Sequence, residues 1–238
     1  MLPRVLEPET LDHLAPGDPV AQRSRRDLRR VNAFMGARRI LARALDRAVP
    51  DGAARPLRVV ELGCGDGRLM LDVARHRGTR WPSVSLDLLD RQPIVDAATI
   101  ADYARAGWQA RPLEADVMDW AAAVDGERWD VVVANLFLHH FDGIDLRRLL
   151  AGCARRADGL AACEPRRSRF ALAASYLIFF LGANAVTRHD GVLSVRAGFV
   201  DHELGAAWPG AANAWRLAEY DDGLFTHCFC ALRGSLSP

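Results

Sequence analysis

From residue 57 onward the chain alternates short apolar runs with segments whose apolar residues recur three and four apart. Leu57–Leu62, Val84–Asp90 and Trp129–Asn135 are unbroken runs bounded by glycine, proline or charge, the pattern of strands buried on both faces. Gln109–Leu113 and Gly159–Cys163 are shorter runs of the same kind. Between them, Arg68–Arg77, a segment opened by Pro93 and running to about Arg105, and Leu146–Arg155 carry helical spacing. Near the end, Trp215–Tyr220 and Phe225–Leu232 flank Asp221-Asp222-Gly223, a hairpin signal. Strand–helix units ending in a hairpin predict an α/β fold: an open, doubly wound, mostly parallel sheet with an antiparallel C-terminal hairpin.

The first 55 residues read differently. Asp18-Pro19 opens a segment in which Leu28, Val31, Phe34, Met35, Ile40, Leu41 and Leu45 keep helical spacing between arginines, predicting one helix over Arg23–Leu45. Residues 1–55 are therefore expected to form a helical arm, either a surface helix with an arginine-rich solvent face or a lid, and 56–238 the main domain, with 183–214 an insertion before the hairpin. The most apolar run, Phe170 to Gly182, predicts a long apolar helix near Phe170–Leu181. It is shorter than the ~20 residues a bilayer span needs, so no stable membrane insertion is expected.

With 238 residues, half of them hydrophobic, the chain is long enough for a full core. A formal net charge of +1 gives no global field to recruit nucleic acid, and no basic tract is interleaved with aromatics. Every Lys/Arg position is arginine. Cys64, Cys153, Cys163, Cys228 and Cys230 are an odd set without a framework spacing. Cys228 and Cys230 share one face of a strand, where core packing is a better account than a metal site. Reduced thiols, and a proline-bearing start without an apolar segment, give a cytoplasmic expectation.

The chemistry gathers at the ends of the strands, where open α/β sheets bind ligands. After the first strand comes Glu61-Leu62-Gly63-Cys64-Gly65-Asp66-Gly67, a tight turn into a helix whose glycines let backbone approach a ligand. Such a loop alone is a weak signal, because dinucleotide-binding folds use a similar one. Here, however, the glycines fall as G-x-G-x-G, Arg68 stands where the nicotinamide pattern wants its third glycine, and no Tyr-Lys pair is possible without lysine. Asp90 ends the second strand, 23 positions after Gly67, where a carboxylate can accept two ribose hydroxyls. Asp87 is its rival, and a helix N-cap its plainer explanation. Glu114-Ala115-Asp116-Val117 follows the third strand, Asn135-Leu136-Phe137-Leu138-His139-His140-Phe141 the fourth, and Glu164-Pro165-Arg166-Arg167 the fifth.

The segment E-L-G-C-G-D-G closely resembles motif I of the class I S-adenosylmethionine-dependent methyltransferases, which are Rossmann-like, and the resemblance covers roughly residues 55–165. It implies S-adenosylmethionine as cofactor, S-adenosylhomocysteine as product and no metal. It also implies that Gly63, Cys64, Gly65 and Gly67 form the cofactor loop. Glu61 would face the methionine end, Asp90 the ribose, Asp116 and the Val117 backbone the adenine, and Asn135 and Leu136 the methionine moiety. N-x-x-L-H-H resembles a segment of small-molecule methyltransferases. Leu138-His139 falls on the L-H of plant-type phenolic O-methyltransferases, where the histidine is a general base, but His140-Phe141 replaces their Asp-Trp. His139 is thus the first candidate base, with His140 and His189 behind it. The segment Ser24–Asn32, with Leu138–Phe141 and Glu164–Arg167, is similar to bacterial methyltransferases that act beside type III polyketide synthases.

These readings predict methyl transfer to a small, aromatic or phenolic acceptor in secondary metabolism, with O-methylation favoured over C-methylation of a quinone or polyketide. The insertion, with Thr187-Arg188-His189-Asp190, and the Phe170–Leu181 helix are expected to build the acceptor pocket. A SAM-binding partner subunit without catalysis is the reading from another class. Oligomeric state stays open, a homodimer included.

Overall fold

The computed structural model describes residues 2–49, 56–77, 81, 83–124, 126–210 and 214–234. Its centre is a seven-stranded sheet of β1 (Leu57–Leu62), β2 (Val84–Asp90), β3 (Trp108–Glu114), β4 (Trp129–Asn135), β5 (Ala157–Pro165), β6 (Trp215–Asp222) and β7 (Thr226–Arg233). The order is β3-β2-β1-β4-β5-β7-β6, parallel through β5, with β7 inserted antiparallel between β5 and β6. Strand order reverses between β1 and β4, the crevice where such sheets bind ligands.

The helices are α1 (Pro19–Met35), α2 (Ala37–Ala48), α3 (Arg68–Arg77), α4 (Ala97–Arg105), α5 (Val117–Ala122), α6 (Gly143–Arg156), α7 (Arg169–Ser175), α8 (Ala185–Ala197) and α9 (Glu203–Ala207). Alternate residues of each strand feed opposite faces. Val59, Leu86 and Val131 join Leu41 and Leu45 of α2 and Met70 and Leu71 of α3. Val60, Leu62 and Val132 join Trp120 of α5 and Leu149 and Leu150 of α6. Burial on both faces explains why the strands read as unbroken apolar runs. Cys163, Cys228 and Cys230 pack in the first of these layers, with the Cys163 and Cys228 sulfurs 3.8 Å apart as free thiols.

Three expected elements differ. The helix expected over Arg23–Leu45 is two helices, because Gly36 adopts φ +71° and ends α1 as a left-handed cap. Asp18 caps α1 by accepting the amides of Val20 and Ala21 ahead of the first turn. After the break, α2 lies on the sheet and shares its core, so the N-terminal region is not one separate arm; the expected boundary at residue 55 lies outside the described residues. The helix expected from Pro93 begins at Ala97, where the Asp96 side chain accepts the Thr99 amide. The long apolar helix over Phe170–Leu181 is α7 followed by a 3-10 turn, Tyr176–Leu181. Ser175 Oγ donates back to the Leu172 carbonyl where α7 ends. No helix among the described residues is long and apolar enough to cross a membrane.

The seating of α2 depends on one small residue. A Cβ on Gly159 in β5 would lie 2.0 Å from the Ala48 carbonyl oxygen at the end of α2. Gly159→Ala is therefore expected to lift α2 from the sheet and cost about 1–3 kcal/mol, read as a lower urea midpoint. An unchanged midpoint would show that α2 does not seat as described.

Candidate functional site

A cavity of about 670 Å³ opens at the carboxyl ends of β1, β2 and β4. Its floor is the β1–α3 loop, where Gly63, Gly65 and Gly67 have φ of +62°, +55° and +68°. Two of these glycines are required for different reasons. A Cβ on Gly63 would collide with the Phe137 ring at 2.1 Å, so this backbone packs face-on against an aromatic. A Cβ on Gly65 would meet no protein atom; it would project into open space at a residue lining the cavity. Gly67 lies outside the cavity wall, its carbonyl accepting the Tyr103 hydroxyl at 2.6 Å. Cys64 lines the wall, and burial pushes its thiol pKa up, so it is no nucleophile.

Glu61 is buried beside this loop, and its Oε2 has no hydrogen-bond partner. Burial, followed by the neighbouring Asp66 and Asp90 carboxylates, pushes its carboxyl pKa up to about 8. Asp90 accepts the Gly65 amide on Oδ2 and the Gln92 amide on Oδ1, both at 2.9 Å, which holds the loop against the end of β2. Its rival Asp87 is buried away from the cavity, bound to Arg111 and to Trp129 Nε1. Asp116 borders the cavity and also caps α5 by accepting the Met118 amide at 2.7 Å. Val117, Asn135 and Leu136 complete this wall; Leu136 has φ +51°, a strained value for a branched residue.

At the far side, Leu138–His140 forms a single 3-10 turn. Fully buried Glu164, at the end of β5, holds that turn. Its Oε1 accepts the amides of Phe137 and Leu138, while Oε2 accepts the His139 amide and, at 2.8 Å, His139 Nδ1–H. His139 Nε2 is thereby aimed outward, where it meets Glu9 Oε1 at 3.3 Å; Ser194 Oγ also donates to Glu9. Burial alone would lower the His139 pKa, but the hydrogen bonds to Glu164 and Glu9 outweigh it and raise the pKa to about 9. Glu9 is correspondingly held below the usual carboxylate range, its burial outweighed by His139. His140, its ring 4.2 Å from that of His139, is pushed down by burial and by the His139 charge. Donor atoms of Glu9, His139 and His140 lie within 4.8 Å of one another, close enough to share a cation, although sequence reasoning expected no metal. As they stand, Glu9 and His139 are hydrogen-bonded to each other.

Glu9 comes from the N-terminal 55 residues, expected as a surface helix or a lid but with no site residue named among them. Residues 4–13 run across the cavity mouth. Arg4 donates to the carbonyls of Ala197 and Phe141, each at 2.7 Å, and buried Asp190 accepts the Thr10 and Leu11 amides. Sequence reasoning gave the acceptor wall to the insertion and to Phe170–Leu181. The insertion contributes Leu193 and Ala197, and no described side chain of 170–181 lines the cavity. Further lining of the cavity comes from Leu6–Glu9, Leu11–His13 and α1 residues Arg25, Leu28, Arg29 and Asn32. His189, a candidate base, is 61 % exposed, paired to Asp190 and outside the cavity.

Comparison with known proteins agrees with this architecture. A stretch of 88 residues is 40% identical to trans-aconitate 2-methyltransferase of Mycobacterium tuberculosis, covering 37% of this chain and 29% of that protein. Another of 99 residues is 30% identical to malonyl-[acyl-carrier protein] O-methyltransferase of Paenibacillus sp., 40% of this chain and 33% of that one. The chain thus spans about a third or less of the length of these curated relatives. An O-methyltransferase family protein from Burkholderia thailandensis shares the fold with a TM-score of 0.60 at 19% identity, over 93% of this chain and 62% of that one. The plantazolicin methyltransferase BpumL does so with 0.63 at 10% identity, over 91% and 92%. A methyltransferase domain model matches residues 32–221, and the chain belongs to that family.

Proposed function

We propose that this protein transfers a methyl group from S-adenosylmethionine to an oxygen of a small, aromatic or phenolic acceptor. The observation that carries the reading is Glu61, a buried carboxylate with an unpartnered oxygen beside a glycine loop. Such a group calls for a cationic ligand, and the methionine end of this cofactor carries an ammonium and a sulfonium. In this reading Glu61 faces those charges, and Asp90 receives the ribose hydroxyls with the lone pairs the loop amides leave free. Asp116 and the Val117 amide meet the adenine, and Asn135 and Leu136 flank the methionine. Bound there, the cofactor supplies an activated methyl group and leaves as S-adenosylhomocysteine. The protein's main contribution is to align the acceptor with it.

His139 takes the acceptor proton on Nε2, with Glu164 fixing its tautomer through Nδ1. While Glu9 occupies Nε2, the imidazole is held protonated and cannot act as a base. The acceptor oxygen therefore takes the place of Glu9, removing one of the two contacts that raise the pKa. That carboxylate on Nε2 also favours a second reading, in which the acceptor is itself a carboxylate needing no proton removed. The name of the Paenibacillus relative supports transfer to oxygen. We infer a cytoplasmic setting in secondary metabolism, beside a type III polyketide synthase, supported by the free thiols and the Leu138–Phe141 and Glu164–Arg167 segments.

Two measurements test this reading. Because Glu61 is neutral below about pH 8 and a cationic ligand needs it ionised, cofactor binding should release a proton. Calorimetry from pH 8 to pH 6 should show affinity falling about tenfold per pH unit, and Glu61→Gln should flatten the slope. A pH-independent affinity in the wild type would detach Glu61 from the cofactor. For the base, single-turnover methylation of a phenol panel by His139→Ala should be about 10²–10⁴ slower, with cofactor affinity spared. His189→Ala should behave as wild type. The wild-type rate should climb with pH, and Glu9→Gln should move that climb toward the ordinary histidine value of about 6.5. A climb that survives in His139→Ala and vanishes in His140→Ala would reassign the base. A flat profile in every variant would favour the carboxylate acceptor.

A further inference from the structure

The longest stretch of this chain without Asp or Glu is residues 165–189, and it carries four arginines. It also carries a cluster of exposed large apolar side chains that form a tip. In the 3-10 turn after α7, Tyr176, Leu177 and Phe180 are 59 %, 58 % and 78 % exposed. Neither the cavity nor the reading above uses these side chains.

The neighbouring helix explains what the tip is for. α1 packs against this turn and against α8. Its two flanks differ. Arg25, Leu28, Arg29 and Asn32 line the cavity, whereas Arg23, Arg26 and Arg30 sit at i, i+3 and i+7 on the opposite, exposed flank. Arg30 reaches beside Gly182 at the base of the tip and pairs with Asp27 at 3.0 Å. Arg23 and Arg26 have no carboxylate partner among the described residues. Phe34, 68 % exposed, lies one turn beyond Arg30.

We propose that this surface, the Tyr176–Phe180 tip with the Arg23–Arg26–Arg30 flank of α1, docks the protein peripherally on an anionic lipid bilayer. Apolar and aromatic side chains on a short convex turn enter the interfacial region without carrying a backbone segment across it, while the arginines meet lipid phosphates. The tip itself, Tyr176–Leu181, carries no carboxylate that an anionic bilayer would repel. A second copy of this chain is a poorer occupant. A two-fold contact on this face would set unpaired arginines against the same acid-free surface.

The inference is independent of methyl transfer, and its test needs no substrate. The full chain is sedimented with vesicles of phosphatidylcholine alone or mixed with phosphatidylglycerol. Binding is expected to the anionic vesicles only, and to weaken steeply with salt. Arg23→Gln/Arg26→Gln and, separately, Leu177→Ser/Phe180→Ser should each weaken it about tenfold or more, with thermal melting unchanged as the control for folding. Equal binding to both vesicle types, no binding, or binding that survives both double variants would overturn the proposal. So would a monomer–dimer equilibrium abolished by Leu177→Ser/Phe180→Ser without vesicle binding, which would assign the face to a second copy.

Discussion

A single buried carboxylate organises the histidine end of the cavity. Glu164 has no solvent contact, yet it receives three backbone amides and one imidazole nitrogen, all from the loop after β4. Those donors replace the water lost on burial, and hydrogen bonds to a charged acceptor contribute about 1.5–3 kcal/mol each. The consequences spread outward. With its amides pinned to Glu164, the loop admits Leu136 at positive φ and turns Phe137 flat against Gly63. The glycine loop and the histidine turn are thus one packed unit, so the two ends of the cavity cannot shift independently.

The cavity is electrostatically asymmetric, and its two ends respond to pH in the same direction. Glu61 has its pKa raised from 4.5 to about 8, so the folded state binds a proton that the unfolded state has released; stability falls as pH rises through that window. His139 is raised from 6.5 to about 9, so its ion pairs contribute fully below 6.5 and are lost as pH rises through 9. The ligand-free fold is therefore strained toward alkaline pH by both. In the proposed function, a cation beside Glu61 would relieve one of them, and an acceptor that displaces Glu9 from His139 would alter the other.

What the sequence revealed follows from where information is local. Strand ends are legible because β1, β2 and β4 are buried on both faces and stop abruptly at Leu62, Asp90 and Asn135, so topology carries Glu61, Asp90 and Asn135 to one edge. Asp90 is separable from Asp87 for the same reason: one closes the strand, the other is committed to Arg111 and Trp129 inside it. The break at Gly36 was hidden because apolar spacing continues across it. Glu9 was hidden more deeply. Residues 2–13 have no period, and their position is set by Asp190 and Arg4, whose partners lie about 135 to 193 positions away. Phe170–Leu181 misled in the other direction, because an apolar run next to a site suggests a pocket wall, whereas this one turns outward.

The manner in which residues 4–13 are attached bears on how an acceptor enters. α2 and α3 are held by buried apolar side chains, but this segment is held largely by polar contacts: Arg4 on two carbonyls, Asp190 on two amides, Glu9 on His139 and Ser194. Each of these groups can be taken over by water, so releasing the segment exposes little apolar surface and leaves the sheet intact. The Glu9 contact is the consequential one for the proposed reaction, in which Glu9 occupies the nitrogen an acceptor needs. In the proposed reaction, an acceptor able to hydrogen-bond that nitrogen replaces the Glu9 contact with an equivalent one, whereas an apolar molecule would leave His139 Nε2 without a partner. On the proposed reading, the segment would discriminate by chemistry as well as by shape, admitting ligands that present a polar oxygen where its own carboxylate stood.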